Sequence, residues 1–309
     1  MKAVEVRAFG GLDAMTYADL PVPAPTDGQA LIRVRAAGVG PWDEWVREGR
    51  SAIPQPLPLI LGSDLSGVVE ATGPGVAGLA PGDEVFGVTN PRFTGAYAEL
   101  AVAEAGMIAR KPARLSHVEA ASVPVVATTA WQMLFEHAGV KEGQRVLVWG
   151  GAGNVGAYVV QLAHQAGADV VATASAGEAE TIRALGAQEV IDGHAATFVG
   201  REGAFDAVID TVGGDALKNS PRLIRPGGVL VSAVGQPDQA LAAQHNVRAC
   251  LIFVSVTTAV VDRLAAMIDS GTLRVRVGEI LPLSAARIAH EMLAGKPHKP
   301  GKIVLVPGS

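Results

Sequence analysis

The sequence predicts an α/β fold, a doubly wound parallel sheet inserted in a mostly β domain, and three observations carry that expectation. The apolar run Val146–Trp149 opens directly into Gly150-Gly151-Ala152-Gly153-Asn154-Val155-Gly156, and an amphipathic segment follows from Ala157. After about residue 122, strand-like and helix-like stretches alternate, which is the pattern of parallel β-α-β crossovers. The first hundred-odd residues and the last fifty do not follow that alternation. They read as short strands, with a few helices, separated by glycine and proline.

Taken in order, Ala30–Ala37 alternates apolar and polar residues in the strand manner, and Asp64–Thr72 and Glu84–Val88 are further short strands. Pro21, Pro23, Pro25, Pro54, Pro56 and Pro58 punctuate the loops between them. Ala127–Ala138 is predicted as a helix, because Trp131, Leu134 and Phe135 recur at helical spacing. Strands are then predicted at 145–149, 169–174, 189–191, 206–210 and 228–233, with helices at 154–166, 177–185 and 215–223. Gly167 and Gly186 stand just past two of these helices as C-terminal stops. Towards the end come a helix at 261–270, a strand at 274–277, a helix at 284–294 and a closing strand from Lys302. The economical reading is a small β unit, 1–122 with 256–309, split around an inserted nucleotide domain, 123–255.

Between strand and helix, each glycine of Gly151-x-Gly153-x-x-Gly156 has a physical task. The first allows the tight turn, the second lets a pyrophosphate approach the backbone, and the third lets helix and strand pack closely. The helix N-terminus adds unpaired N–H groups for the phosphates. This is the dinucleotide fingerprint of a Rossmann sheet, so Gly150, Gly151, Ala152, Gly153, Asn154, Val155 and Gly156 are the expected phosphate site.

Composition narrows the classes. Hydrophobic residues are 49% and charged residues 18%, as in a soluble globular protein, and the net charge of −5 gives no electrostatic case for nucleic acid or an anionic membrane. No uninterrupted apolar run reaches transmembrane length, and the first residues lack a signal-peptide core, so cytoplasmic residence is expected. The single cysteine, Cys250, excludes an intrachain disulfide and a multi-cysteine zinc site; its apolar surroundings predict a buried, inert thiol.

Eight short motifs in order resemble the medium-chain dehydrogenase/reductase superfamily, in its zinc-free quinone oxidoreductase (ζ-crystallin-like) branch. They are Gly38–Asp43, Pro58–Glu70, Gly82–Gly87, Gly95–Glu99, Thr128–Trp131, Phe205–Gly214, Pro226–Gly228 and Gly301–Leu305. The resemblance implies a GroES-like catalytic domain around the Rossmann domain. Zinc-dependent relatives place a cysteine in the first loop and a His-Glu pair after the position of Gly62. Here those positions hold Gly40, Ser63 and Asp64, and His117, His137 and His164 share no ligand spacing, so no metal is expected. The quinone reductases commonly carry Asn where this chain has Gly40, a departure that leaves the substrate contacts open.

The resemblance implies hydride transfer from a nicotinamide to an electron-poor acceptor, a quinone or an α,β-unsaturated carbonyl. It places Thr129 beside the nicotinamide, with helix packing as the alternative role. Val212, Gly213, Val234 and Gly235 follow strand ends on the cofactor edge. Phe253, Val254 and Ser255 either contact the carboxamide through their backbone or belong to an edge strand, 249–256, that pairs across a homodimer two-fold; both can hold. Gly40, Trp42, Asp43, Trp45, Phe93 and Trp131 are candidates for the substrate pocket, with core or rim packing as the alternative. Asp64 and Tyr97 are candidate proton donors or relays.

Cofactor choice turns on Ser175, at the end of the second Rossmann strand, where NAD enzymes usually carry an acid for the ribose 2′-OH. Ser175 leaves room for a 2′-phosphate, whereas Glu178 would repel one. NADPH is the expectation, with NADH possible. An enoyl-thioester reductase and a non-catalytic, nucleotide-binding redox sensor are the alternatives.

Overall fold

The computed structural model describes residues 1–192, 198 and 200–308. The chain forms two compact units, Met1–Val125 with Ser255–Ser309, and Val126–Val254.

In the first unit, β1 (Lys2–Val6) pairs antiparallel with β2 (Met15–Asp19). Next comes β3 (Gln29–Val39), whose burial alternates up to Arg35 and is continuous from Ala36 to Val39. The change marks where a one-faced strand becomes covered on both faces. Helix α1 (Pro41–Arg47) starts with proline at its first position, where a missing N–H costs nothing. The strands β4 (Leu59–Ile60), β5 (Asp64–Thr72), β6 (Glu84–Val88), β7 (Leu100–Glu104) and β8 (Ile108–Arg110) follow. Helix α2 (His117–Ala121) is fixed by a capping box. Glu119 N–H donates to Ser116 Oγ at 3.3 Å, and Ser116 N–H donates to Glu119 Oε2 at 2.9 Å.

The chain enters the second unit within helix α3 (Pro124–Trp131), which continues as a π-helical stretch, Gln132–Ala138. The expected uninterrupted α-helix at 127–138 thus starts earlier and widens midway. Then come β9 (Arg145–Trp149), α4 (Asn154–Gln165), β10 (Asp169–Ala174), α5 (Ala179–Ala184), β11 (Glu189–Asp192), β12 (Phe205–Asp210), α6 (Gly214–Leu223), β13 (Ile224–Ser232), α7 (Gln239–Gln244) and β14 (Arg248–Leu251). All six strands run parallel in the order β11-β10-β9-β12-β13-β14. In chain order within the sheet that is 3-2-1-4-5-6, the doubly wound arrangement whose switch point lies between the first and fourth strands. Gly167 and Gly186 take positive φ, 78° and 116°, just beyond α4 and α5, as helix stops require. The expected edge strand at 249–256 is shorter. Its pairing with β13 ends at Ser232↔Leu251, where β13 itself ends, and Ile252 N–H closes the ladder on Ser232 O at 2.9 Å.

The first unit is completed by α8 (Thr258–Asp269), β15 (Val277–Pro282), α9 (Ala286–Leu293) and β16 (Lys302–Val306). The strand expected at 274–277 begins instead at Val277. Its register is set by parallel pairing with β16 from Val277↔Lys302 to Pro282↔Val306, across an irregularity that local alternation cannot reveal. β16 lies antiparallel to β3, so the C-terminal strand joins the seven-stranded sheet next to the centre of its N-terminal part. Tyr97, Ile32, Leu61, Leu65, Ile108 and Leu305 are core members of this unit. Among the described residues no helix is long and apolar enough to cross a membrane.

Candidate active site

In the second unit, β9 turns into α4 through backbone that glycine alone accommodates. The tight turn falls at Gly150, with φ +79°, one residue earlier than the motif suggested. Gly150 N–H donates to Thr173 Oγ1 at 2.9 Å and Gly151 N–H to Thr173 O at 2.8 Å, so β10 holds the loop from below. A Cβ on Gly156 would lie 2.0 Å from Gly150 O, so only glycine lets α4 approach the turn. Gly153 is the N-cap of α4, and no side chain caps the helix. The N–H groups of its first turn therefore stay open to an anion. Gly153 and Asn154 are exposed, as a phosphate cradle needs.

The loops after β12 and β13 are tied to one carboxylate that sequence reasoning left unassigned. Asp210 is fully buried, and its Oδ1 accepts from Val212 N–H at 3.1 Å and Gly213 N–H at 2.9 Å. Its Oδ2 accepts from Ser232 Oγ–H at 2.8 Å, and Ser232 Oγ in turn accepts from Val234 and Gly235 N–H, both at 3.2 Å. An acid at the C-terminal end of a predicted parallel strand was the available signal. On these loops and just past β14, Val212, Val234 and Phe253 are 58%, 45% and 74% exposed. Large apolar side chains left open at the carboxyl edge of a parallel sheet fit a flat ring. Loop, helix terminus and apolar edge together fit a dinucleotide. Ser175 is exposed just beyond β10, and its carbonyl accepts from Glu178 N–H at 3.0 Å. Thr129 lies on α3 and is 7% exposed.

In the first unit a buried polar cluster gathers five of the singled-out residues. Gly40, N-cap of α1, donates its N–H to Asp43 Oδ2 at 2.9 Å, and Tyr97 O–H donates to the same oxygen at 2.9 Å. Asp43 and Tyr97 are both fully buried. Burial pushes the Asp43 carboxyl up to about 7, against the opposing pull of the Gly40 N–H, the Lys302 charge and the Tyr97 hydroxyl. Burial, then the Asp43 charge, pushes the Tyr97 phenol well above its usual range. Asp64 is fully buried as well. Its Oδ2 lies 3.0 Å from Lys302 Nζ, and its Oδ1 accepts from Val125 N–H at 2.9 Å. Burial raises its carboxyl and the Lys302 ammonium offsets that. Lys302 Nζ also lies 4.2 Å from the centre of the Trp42 ring, and Trp42 Nε1–H donates to Ser63 Oγ at 3.0 Å.

Asp64 and Tyr97, the candidate proton donors, are thus closed off from solvent and engaged with neighbouring groups. Sequence reasoning misses Lys302, since a lysine opening a C-terminal strand carries no local sign of pairing with Asp64, and it reads Ser63 only as a position without a metal ligand, not as the partner of Trp42. The other singled-out residues stand elsewhere. Trp45 is 39% exposed on α1, and Phe93 takes a positive φ of 60° in the loop after β6. Trp131, in the second unit, packs on Phe135 with ring centres 4.5 Å apart. Cys250 is half-buried rather than buried, on the edge strand β14, and burial raises its thiol. His117 Nδ1 lies 2.8 Å from Ser66 Oγ, and its Nε2 lies 3.3 Å from Glu84.

A 3-2-1-4-5-6 parallel sheet with a glycine turn at the first strand defines a dinucleotide-binding protein. Residues 26–113 match the alcohol dehydrogenase GroES-like domain, and residues 185–305 match a family described as zinc-binding dehydrogenase. The chain is 31% identical to a quinone oxidoreductase of Pongo abelii over 99% of this chain and 98% of that one. It is 38% identical to a 2-methylene-furan-3-one reductase of Solanum lycopersicum, over 76% of this chain and 62% of that one. The structure of the quinone oxidoreductase from Coxiella burnetii superposes with a TM-score of 0.90 at 34% identity, covering 99% of each chain. The chain belongs to the medium-chain dehydrogenase/reductase superfamily, in its quinone oxidoreductase branch.

Proposed function

We propose that the protein is an NADPH-dependent oxidoreductase that reduces a quinone or an α,β-unsaturated carbonyl without a metal ion. The observation that carries this reading is the second unit's cradle: the open N-terminus of α4 beside the Gly150 turn, with Val212, Val234 and Phe253 exposed on the same sheet edge. Full-length similarity to quinone oxidoreductases supports the acceptor class.

When bound, a reduced nicotinamide supplies hydride. Gly151, Gly153 and the first turn of α4 would bind the pyrophosphate, and the apolar side chains at 212, 234 and 253 would keep water from the ring. Asp210 and Ser232 hold those loops in place. Ser175 leaves room for a 2′-phosphate. In the first unit the Gly40–Trp45 segment would receive the acceptor, with the indole of Trp42 as a flat apolar surface. With Asp64 and Tyr97 buried, the product's proton comes from solvent water.

The first unit's residues do not fit a catalytic zinc. Gly40 has no donor side chain, Ser63 Oγ accepts from the Trp42 indole, and Asp64 faces an ammonium 3.0 Å away that would repel a second cation. Among the described residues β14 is the last strand of its sheet, and that position supports a homodimer, since strand pairing across a two-fold would cover its outer edge.

The test titrates purified protein with NADPH and NADH and then offers quinones, alkenals and enoyl thioesters while following absorbance of the reduced nicotinamide. NADPH should bind tighter and be oxidised by quinones or enones, with the rate unchanged by chelators. Tight binding with no turnover on any acceptor would refute the reading. Chelator-sensitive turnover would refute metal independence. If NADH binds tighter, Glu178 rather than Ser175 governs the ribose, and Glu178→Lys should reverse the preference.

A further inference from the structure

At the start of α1 one glycine and one tryptophan are fitted to each other. Gly40 has φ −137° and ψ 163°, extended backbone that any residue adopts, so conformation does not require glycine there. Space does. A Cβ at position 40 would lie 2.2, 2.3 and 2.4 Å from Cη2, Cζ2 and Cζ3 of Trp42, inside the six-membered ring's own contact shell. The indole occupies the volume that any side chain at position 40 would fill.

The indole is also held in place. Its Nε1–H donates to Ser63 Oγ at 3.0 Å, and the buried Lys302 ammonium, tied to Asp64 at 3.0 Å, lies 4.2 Å from its ring centre. A ring fixed by one hydrogen bond and one buried cation has little rotamer freedom left to lose when a ligand stacks on it. Trp42 as a whole is half-buried.

We propose that Trp42 is the specificity-determining residue for the acceptor. Its indole, pinned by Ser63 and Lys302, is a rigid wall that selects compact, flat, conjugated acceptors such as monocyclic quinones and short enones. It disfavours fused-ring quinones and branched enones. The inference rests on the reductase reading above, and it makes Gly40 a permissive partner whose smallness serves Trp42.

The experiment compares the unmodified protein with Trp42→Ala, Trp42→Phe and Gly40→Ala. Steady-state rates with NADPH are measured on acceptors of increasing width: 1,4-benzoquinone, 1,4-naphthoquinone and 9,10-phenanthrenequinone, with but-3-en-2-one and 4-phenylbut-3-en-2-one. Trp42→Ala should raise KM for the narrowest acceptors about tenfold, lower it for the widest, and change kcat less than KM. Gly40→Ala should move the profile in the same direction, because its methyl displaces the indole. In the Gly40→Ala/Trp42→Ala double variant the methyl should have no further effect. Quenching of tryptophan fluorescence by 1,4-benzoquinone, followed without NADPH, should weaken in Trp42→Phe, a readout that does not depend on turnover.

A parallel shift of all acceptors, or additive effects in the double variant, would overturn the proposal while leaving the reductase reading intact. No turnover by the unmodified protein on any acceptor would overturn both. If Trp42→Ala fails to fold, Trp42→Phe and Gly40→Ala carry the same comparison.

Discussion

Replacing Lys302 by methionine tests the buried cluster most directly. The side chain keeps its length and apolar stem but loses the ammonium. That ammonium sits 3.0 Å from Asp64, with the two side chains 2% and 0% exposed. Deleting one partner of a buried ion pair leaves the other charge uncompensated, at a cost of about 3–5 kcal/mol. Loss of the cation beside the Trp42 ring adds about 0.5–2 kcal/mol. A drop of about 4 kcal/mol corresponds to about 8–16 °C in Tm for a unit of roughly 150–250 residues.

Asp64 can escape part of that cost by taking up a proton. Burial already raises its carboxyl, and the Lys302 charge is the largest influence holding it down. In the variant the folded carboxyl rises further above its unfolded value, so the native state gains protons relative to the unfolded one. The deficit against the unmodified protein is therefore largest at high pH and shrinks as pH falls towards the carboxylate range. Urea unfolding at pH 8 and pH 5 should give a larger loss at pH 8. Lys302→Met/Asp64→Asn should recover much of it and remove the pH dependence, since Asn keeps an acceptor for Val125 N–H. A loss below about 1 kcal/mol, or an equal loss at both pH values, would refute the reasoning, because a buried pair cannot be that cheap to break.

Three further outcomes follow from the same geometry. Asp43 is raised to about 7 in the folded protein from an ordinary 3.8, so its contribution to stability is present below pH 4 and is lost as pH rises to about 7; Asp43→Asn, which still accepts from Gly40 and Tyr97, should flatten that part of a stability–pH profile measured by urea unfolding. Gly156→Ala places a methyl 2.0 Å from Gly150 O and should cost about 1–3 kcal/mol in chemical unfolding and at least about tenfold in NADPH affinity by fluorescence titration. Asp210→Ala removes the acceptor for Val212, Gly213 and Ser232; we expect a loss of about 3 kcal/mol and faster amide exchange at 212–213 and 234–235, and unchanged exchange there would refute the anchoring role.

Legibility in the sequence followed the range of the interactions. Strands β9 and β10 lie where the sequence places them, at 145–149 and 169–174, because each is a short apolar run with a glycine signal nearby. The phosphate loop was legible for the same reason, although its tight turn stands at Gly150 rather than Gly151. The local pattern misplaces β15, whose register comes from β16 more than twenty residues on, and makes β14 too long, because the length of its partner β13 ends it. The π-helical widening at Gln132–Ala138 has no local signal in the apolar spacing.

The sequence by itself determined the class of fold, the dinucleotide loop and the family, since these rest on spacings within a few residues of one another. Tertiary structure alone decided how the acids are used. Asp64 meets Lys302 only because β16 returns beside β3. Asp43 meets Tyr97 only because the core closes over both. Trp42 reaches the space above Gly40 only once Ser63 and Lys302 fix its ring. Charge and volume in a buried cluster are properties of neighbours distant in the chain, and folding is what makes them neighbours.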